Sequence, residues 1–260
     1  MLNFERSFTI QFSIFFPEGV DGSVKDVDGL SARIAAKAGA DDLGLTGFRE
    51  PTEGQALIAQ AGAPFGPLPT WSWVSKTGIW KLVFNPLRLD VFFDARTYAE
   101  LFPSPRATPP ALAARVAGNL ATARDALKGR AARLAMIVNA QAGKLPEAPS
   151  SIIAQQFAND DLRRAASDGK AVDLLARVNK TAEWVLNDGA SAVQVNRIET
   201  ATANVSFKDG AAEESLAWSF DVNTSPVHDQ LDLNGPSVRR FFAEAAGWID
   251  GRLTELKVQP

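Results

Sequence analysis

The only histidine of the chain, His228, is the side chain best suited to proton transfer near neutral pH. It lies between Ser225 and Asp229, and Asp232 follows shortly after. An imidazole oriented by a carboxylate can act as a general base toward a serine hydroxyl. However, the members of a catalytic triad normally come from separated segments, and the Gly-x-Ser-x-Gly nucleophile elbow is absent. We therefore expect a loop histidine bonded to the backbone or to water, and keep His228, Asp229 and Asp232 as weak catalytic candidates.

Other reactive groups are scarce. The chain has 0 cysteines, which excludes disulfides, iron–sulfur clusters and thiol catalysis. The aspartates Asp21, Asp26 and Asp28 do not match the ligand spacing of a calcium loop. A Gly-Leu-Thr-Gly segment at 44–47 is not followed by the Lys-Ser/Thr pair of a phosphate-binding loop. We expect no cofactor and no metal site.

Three tryptophans within ten residues, Trp71, Trp73 and Trp80, form the remaining cluster with chemical potential. On an exposed sheet face their rings could stack on a sugar or a base, or anchor a protein partner. The alternative is that they fill the core between sheet and helices. The single tyrosine of the chain favours the core, because recognition surfaces often use the polar tip of tyrosine.

Composition predicts an ordinary soluble globular protein. The 260 residues are 46% hydrophobic, and 27 basic against 30 acidic side chains give a formal net charge of -3. That balance offers no basic surface for nucleic acid. The apolar run from Phe8 to Phe16 is interrupted at every second position up to Ser13, so it predicts neither a signal peptide nor a membrane helix. We expect a cytoplasmic protein without membrane contact.

Alternating apolar residues predict strands at both ends of the chain. They occur at 8–16, in short runs between Trp71 and Asp94, and as a long hairpin from 192 to 222, with a further short strand at Leu134–Val138. The short connections between Trp71 and Asp94 indicate an antiparallel meander.

Apolar residues at three- and four-residue steps predict helices. One follows a Thr108 cap and two prolines, with Gly129 as its stop, and one starts at Ser150 or Ser151. Others are predicted from Val27 to Ala38, from Thr52 to about Ala61, from Val172 to Val185, and after Asn234.

These elements predict an α+β protein: an antiparallel sheet of N-terminal and C-terminal strands, a helical middle from about 108 to 187, and a C-terminal helix. One domain spanning 1–260 is favoured over two lobes that divide near 103–110, because no flexible linker separates the halves. Since reactive groups are few, we expect a non-enzymatic interaction or assembly component acting through a sheet or helix surface, with another protein or a second copy as its partner. The alternatives are a carboxylate-dependent hydrolase or transferase, and a binding module that uses the tryptophans.

Overall fold

The structure is a computed structural model, and it describes residues 8–20, 52–57, 67–97, 108–127, 129–142, 148–157, 174–187, 192–208, 211–225 and 232–258. The strands are β1 (Phe8–Phe15), β2 (Thr52–Leu57), β3 (Pro67–Val74), β4 (Trp80–Asn85), β5 (Arg88–Asp94), β6 (Arg133–Gln141), β7 (Leu174–Trp184), β8 (Val193–Lys208) and β9 (Ala211–Thr224). The longer helices are α1 (Pro109–Ala126), α2 (Pro149–Gln156) and α3 (Gly235–Val258).

The nine strands form one antiparallel sheet in the order β2-β3-β4-β5-β1-β6-β9-β8-β7. The fold is therefore α+β, as the alternation predicted. Strands from both sides of the candidate boundary at 103–110 belong to this sheet, with β1 and β6 paired at its centre. The number of domains stays a prediction.

The sheet order divides the chain into two halves of similar topology. In each half the first strand, β1 or β6, lies at the sheet centre, and the following strands run as a meander from the outer edge inward. The last strand of the meander, β5 or β9, pairs with the first strand of its own half. A long helix then ends each half, and these two helices, α1 and α3, contact each other. The sheet thus has an approximate two-fold arrangement about the β1–β6 pair.

One face of the sheet carries the core, and we call it the helix-side face. Along β1 every second side chain from Phe8 to Ile14 is buried there, which is the period expected of a strand with one covered face. The ring of Phe12 meets that of Phe242 in α3 at 5.4 Å in an edge-to-face arrangement. Trp184 at the end of β7 contacts Phe241 of the same helix at 5.8 Å. Helix α3 therefore packs against strands of both halves.

Helix boundaries follow the capping residues that the sequence offers. The Thr108 hydroxyl accepts a hydrogen bond from the Ala111 amide at the start of α1. The Asn234 side chain accepts from the Ser237 amide at 3.0 Å and thereby caps α3. Gly129, predicted to close α1, lies beyond its end, and a Cβ there would stand 2.1 Å from Val20 Cγ1. Glycine is required at 129 by this close packing.

The opposite face of the sheet is polar near its centre. The Ser13 hydroxyl donates to the Asp90 carboxylate at 2.5 Å, and Arg88 pairs with the same carboxylate at 2.8 Å. The Phe15 ring lies between two guanidinium groups, with Arg88 at 4.6 Å and Arg133 at 5.1 Å from its centroid. Buried Ser13 and Asp90 thus satisfy each other, as buried polar groups must.

Two predicted helices are strands. The segment from Thr52 forms β2 at the sheet edge, where backbone pairing with β3 overrides the helical propensity of its Glu, Gln, Ala and Leu residues. The segment 172–185 contains β7, whose buried and half-buried side chains alternate with exposed ones. The predicted helical middle is therefore interrupted by β7 as well as by β6, and β6 contains the short strand predicted at Leu134–Val138. The predicted helix at Val27–Ala38 lies outside the described residues.

Among the described helices, none combines the length and apolar character needed to cross a membrane.

Candidate functional site

A cleft of about 440 Å³ opens beside the core on the helix-side face. Its floor is the β7–β8 pair, where Val178 opposes Glu199 and Lys180 opposes Arg197. The cleft is lined by Gln156, Phe157, Val178, Lys180, Arg197, Glu199, Trp248, Arg252 and Glu255. Because α2 supplies one wall and α3 the other, we call it the α2–α3 cleft.

Helix α3 presents three cleft residues on one face because of their spacing. Trp248, Arg252 and Glu255 are four and three residues apart, so their side chains project from the same side of the helix. On β8 the two cleft residues, Arg197 and Glu199, are two apart and share the helix-side face. Both residues are charged, whereas the next residues on the same face of the strand, Val195 and Ala201, are apolar and buried.

Glu199 is the buried anchor of the cleft. Its carboxylate accepts a hydrogen bond from Trp218 Nε1 at 2.8 Å. It also accepts from Arg252 twice, from Nε and from Nη2, each at 3.1 Å. A bidentate guanidinium–carboxylate pair of this kind fixes both side chains. Glu199 therefore holds Arg252 in place rather than offering a free base.

Arg252 is neutralised from two sides. Burial acts to lower the pKa of Arg252, but hydrogen bonding and charge from Glu199, together with the charge of Glu255, raise that pKa above its ordinary value. Its Nη1 also contacts the Glu255 carboxylate one helical turn away. Both acidic side chains of the cleft are thus engaged by Arg252.

Arg197 and Lys180 carry the uncompensated positive charge. The Arg197 guanidinium lies over the Trp248 ring at 5.7 Å, a cation–π distance. Its Nε is buried and has no hydrogen-bond partner in the described part of the chain. Neither Arg197 nor its cross-strand neighbour Lys180 forms an ion pair with any described carboxylate.

Aromatic rings provide the apolar part of the cleft. Trp248 packs edge-to-face on buried Phe220 at 6.0 Å, which fixes its ring. Phe157 stacks on buried Trp218 at 6.0 Å with an interplanar angle of 14°. The cleft therefore combines fixed aromatic surface with two cations that form no ion pair among the described residues, a combination suited to an anion that carries an apolar or planar body.

The structure separates the three tryptophans of the sequence prediction. Trp73 and Trp80 are buried in the core, and Trp80 packs on Phe93 at 4.9 Å. Trp71 is half-buried and stacks on Phe84 at 5.9 Å. Buried rings offer no surface to a ligand, so Trp71 alone keeps an accessible portion for the predicted stacking role.

The predicted catalytic residues lie mostly outside the described residues. His228 and Asp229 lie in the segment 226–231, which is outside the described residues. Asp232 is described: its carboxylate pairs with Arg124, whose Nε also donates to the Leu233 carbonyl at 2.9 Å. This contact ties the start of α3 to α1, which is a structural role. Within the described stretches, no three acidic or histidine side chains converge as metal ligands.

Sequence reasoning missed the cleft, although a signal for it exists. Arg197 and Glu199 lie on the helix-side face of β8 between the buried apolar residues Val195 and Ala201. Charged residues at positions where the strand pattern predicts a buried apolar side chain often indicate strain or a functional site. On α3, Arg252 follows Trp248 by one helical turn and lines the same cleft.

Comparison with known proteins adds no assignment: no protein-family model matches the sequence, and no curated protein is significantly similar to it.

Proposed function

We propose that the protein is a non-enzymatic binding module that takes a small anionic molecule with a planar or apolar body in the α2–α3 cleft. The observation that carries the proposal is that the buried Arg197 Nε, beside the Trp248 ring, has no hydrogen-bond partner among the described residues. A buried donor without a partner costs about 1–3 kcal/mol, and an oxyanion that accepts from it would remove this penalty.

The charge balance supports an anion. The lining contains three cations, Lys180, Arg197 and Arg252, against the two carboxylates Glu199 and Glu255. Arg252 is held by both carboxylates, so the remaining pair of cations faces the cleft with net positive charge. A phosphate or carboxylate would pair with Arg197 through its guanidinium fork and with Lys180 as a point charge.

The aromatic lining supports a ligand larger than an inorganic ion. A volume of about 440 Å³ exceeds the need of a lone phosphate and lies within the range of small-molecule sites, about 300–1,000 Å³. Trp248 and Phe157 would contact the apolar part of such a ligand.

Binding is tested by titration with three probes: inorganic phosphate, phenyl phosphate and benzoate. Isothermal calorimetry and tryptophan fluorescence would follow the titrations. We expect phenyl phosphate to bind most tightly, because it carries both the anion and the ring. Arg197→Gln should weaken that binding by about tenfold or more, since a charge-assisted hydrogen bond contributes about 1.5–3 kcal/mol.

The matched control is Lys81→Gln, an exposed lysine on the opposite face of β4 with the same change in charge. Its affinity should stay within about twofold of the parent, because salt screens distant exposed charges. Equal loss of binding in both variants, or no binding of any probe, would overturn the proposal.

A second candidate function is the interaction or assembly role expected from the sequence. The observation that favours it is the exposure of two large apolar side chains ten residues apart, Leu175 at 64% on the edge strand β7 and Val185 at 45% just after that strand. A partner that covers this edge would bury both. Size-exclusion chromatography with light scattering over a range of concentrations tests this role independently of ligand binding.

A further inference from the structure

We infer that two copies of this chain pair through their β7 strands, antiparallel about a two-fold axis through Lys180, so that the two sheets become continuous. The inference specifies the assembly role given above as the second candidate function, and it does not depend on the proposed ligand binding. It begins from the position of β7 at one end of the sheet, where it pairs with β8 on one side and with no described strand on the other. The outer backbone groups of such an edge can pair with another strand.

Only one two-fold register matches the side chains of this edge. In an antiparallel pair, directly opposed residues lie on the same face of the sheet. With Lys180 at the axis, Leu175 of one copy opposes Val185 of the other, and these two are the large apolar side chains that are exposed among the described residues. In the same register Arg177 of one copy opposes Glu183 of the other, so this pair of opposite charges occurs twice across the interface.

Shifting the axis by one residue removes this match. With Asn179 at the axis, Leu175 would oppose Glu183 and Arg177 would oppose Thr181. With Thr181 at the axis, Arg177 would oppose Val185. Charge complementarity together with the burial of both exposed apolar residues therefore selects the Lys180-centred register and a second copy of this chain as the occupant.

The same register also has one unfavourable contact. Lys180 of one copy lies opposite Lys180 of the other, so two ammonium groups meet on the helix-side face. Like charges directly opposite each other weaken a strand pair. The contact area of an edge pair is also smaller than the ~1,200–2,000 Å² of a stable complex. We therefore expect a weak, reversible dimer with a Kd of about 10–100 µM.

Sedimentation equilibrium on the full chain without ligand, at protein concentrations from about 1 µM to about 1 mM, tests the dimer by measuring the Kd. Arg177→Glu and Glu183→Arg should each weaken dimerisation by about tenfold, because each places like charges opposite one another at two positions. The double variant Arg177→Glu/Glu183→Arg restores both pairs and should return the Kd to within about threefold of the parent. Lys180→Ser should tighten the dimer.

Lys81→Glu is the control for charge reversal on an exposed strand position, and its Kd should match that of the parent. Circular dichroism of every variant verifies that a change in Kd does not come from unfolding. A chain that stays monomeric at the highest concentration overturns the inference. So does a dimer that the single charge reversals leave intact, or one that the double variant fails to restore, since either result places the interface elsewhere.

Discussion

Replacing Glu199 by glutamine should change stability and ligand affinity in opposite directions. Glutamine keeps the shape of the side chain and can still accept from the Trp218 indole. It removes the negative charge that holds Arg252 in two hydrogen bonds of 3.1 Å. The variant therefore leaves a partly buried guanidinium with only the exposed Glu255 as an anionic partner.

The loss of stability follows from the burial of the pair. Removing one partner of a fully buried ion pair costs about 3–5 kcal/mol. The Arg252 side chain is 29% exposed, so water replaces part of the lost interaction. We expect a loss of about 2 kcal/mol in the free energy of unfolding, which corresponds to a fall of about 4–8 °C in Tm for a chain of this length.

The gain in affinity follows from Coulomb's law. A carboxylate about 6 Å from a bound anion repels it by about 0.7 kcal/mol in a water-like dielectric, and by about 3 kcal/mol at an effective dielectric of about 20. Removing the charge of Glu199 should therefore tighten phenyl phosphate binding by at least about threefold.

Differential scanning calorimetry and isothermal titration calorimetry on the same samples measure both effects. Glu244→Gln serves as the control, because Glu244 is an exposed residue of α3 that does not line the cleft. Its Tm should stay within about 2 °C, since exposed substitutions usually change stability by less than about 0.5 kcal/mol. Weaker binding by Glu199→Gln would refute the assignment of the cleft to an anion, and an unchanged Tm would refute the anchoring role of Glu199.

Three further substitutions test the packing. Gly129→Ala should lower the free energy of unfolding by about 2–3 kcal/mol in urea denaturation, because the new Cβ would overlap Val20 Cγ1. Gly118→Ala, inside α1 with no atom within 4 Å of the added Cβ, should instead raise it by about 0.5–1 kcal/mol, and a loss there would contradict the described helix. Asp90→Ala should cost about 2–3 kcal/mol, since it leaves Arg88 and the buried Ser13 hydroxyl without their shared acceptor; a thermal melt indistinguishable from the parent would show that this network contributes nothing.

The central strands could be predicted from the sequence because their burial is regular. Apolar residues occupy every second position from Phe8 to Ile14 of β1 and from Leu216 to Val222 of β9, and both strands lie inside the sheet with one covered face. Helices α1 and α3 could be predicted because each combines a capping residue with an apolar stripe. In these elements local preference and tertiary environment agree.

The edge strands could not be predicted, and β7 shows why. Its helix-side positions run Leu174, Ala176, Val178, then Lys180, so a charge interrupts the apolar alternation. Leu175 and Val185 are apolar but exposed, and together with Val178 they fall at helical spacing. The residues that give this strand a helical pattern in the sequence line the cleft or belong to the proposed dimer edge, where burial departs from that of a core strand.

The approximate two-fold arrangement of the sheet has a consequence for how the chain is connected. The halves meet through the β1–β6 backbone pairing and the α1–α3 contact, while the covalent link between them is the short stretch from Leu127 to Arg133. Cleavage within that stretch would leave all the strand pairings and both long helices uncut. Two fragments that are expressed together should therefore reassemble without the link. The protein could then serve as the scaffold of a split reporter.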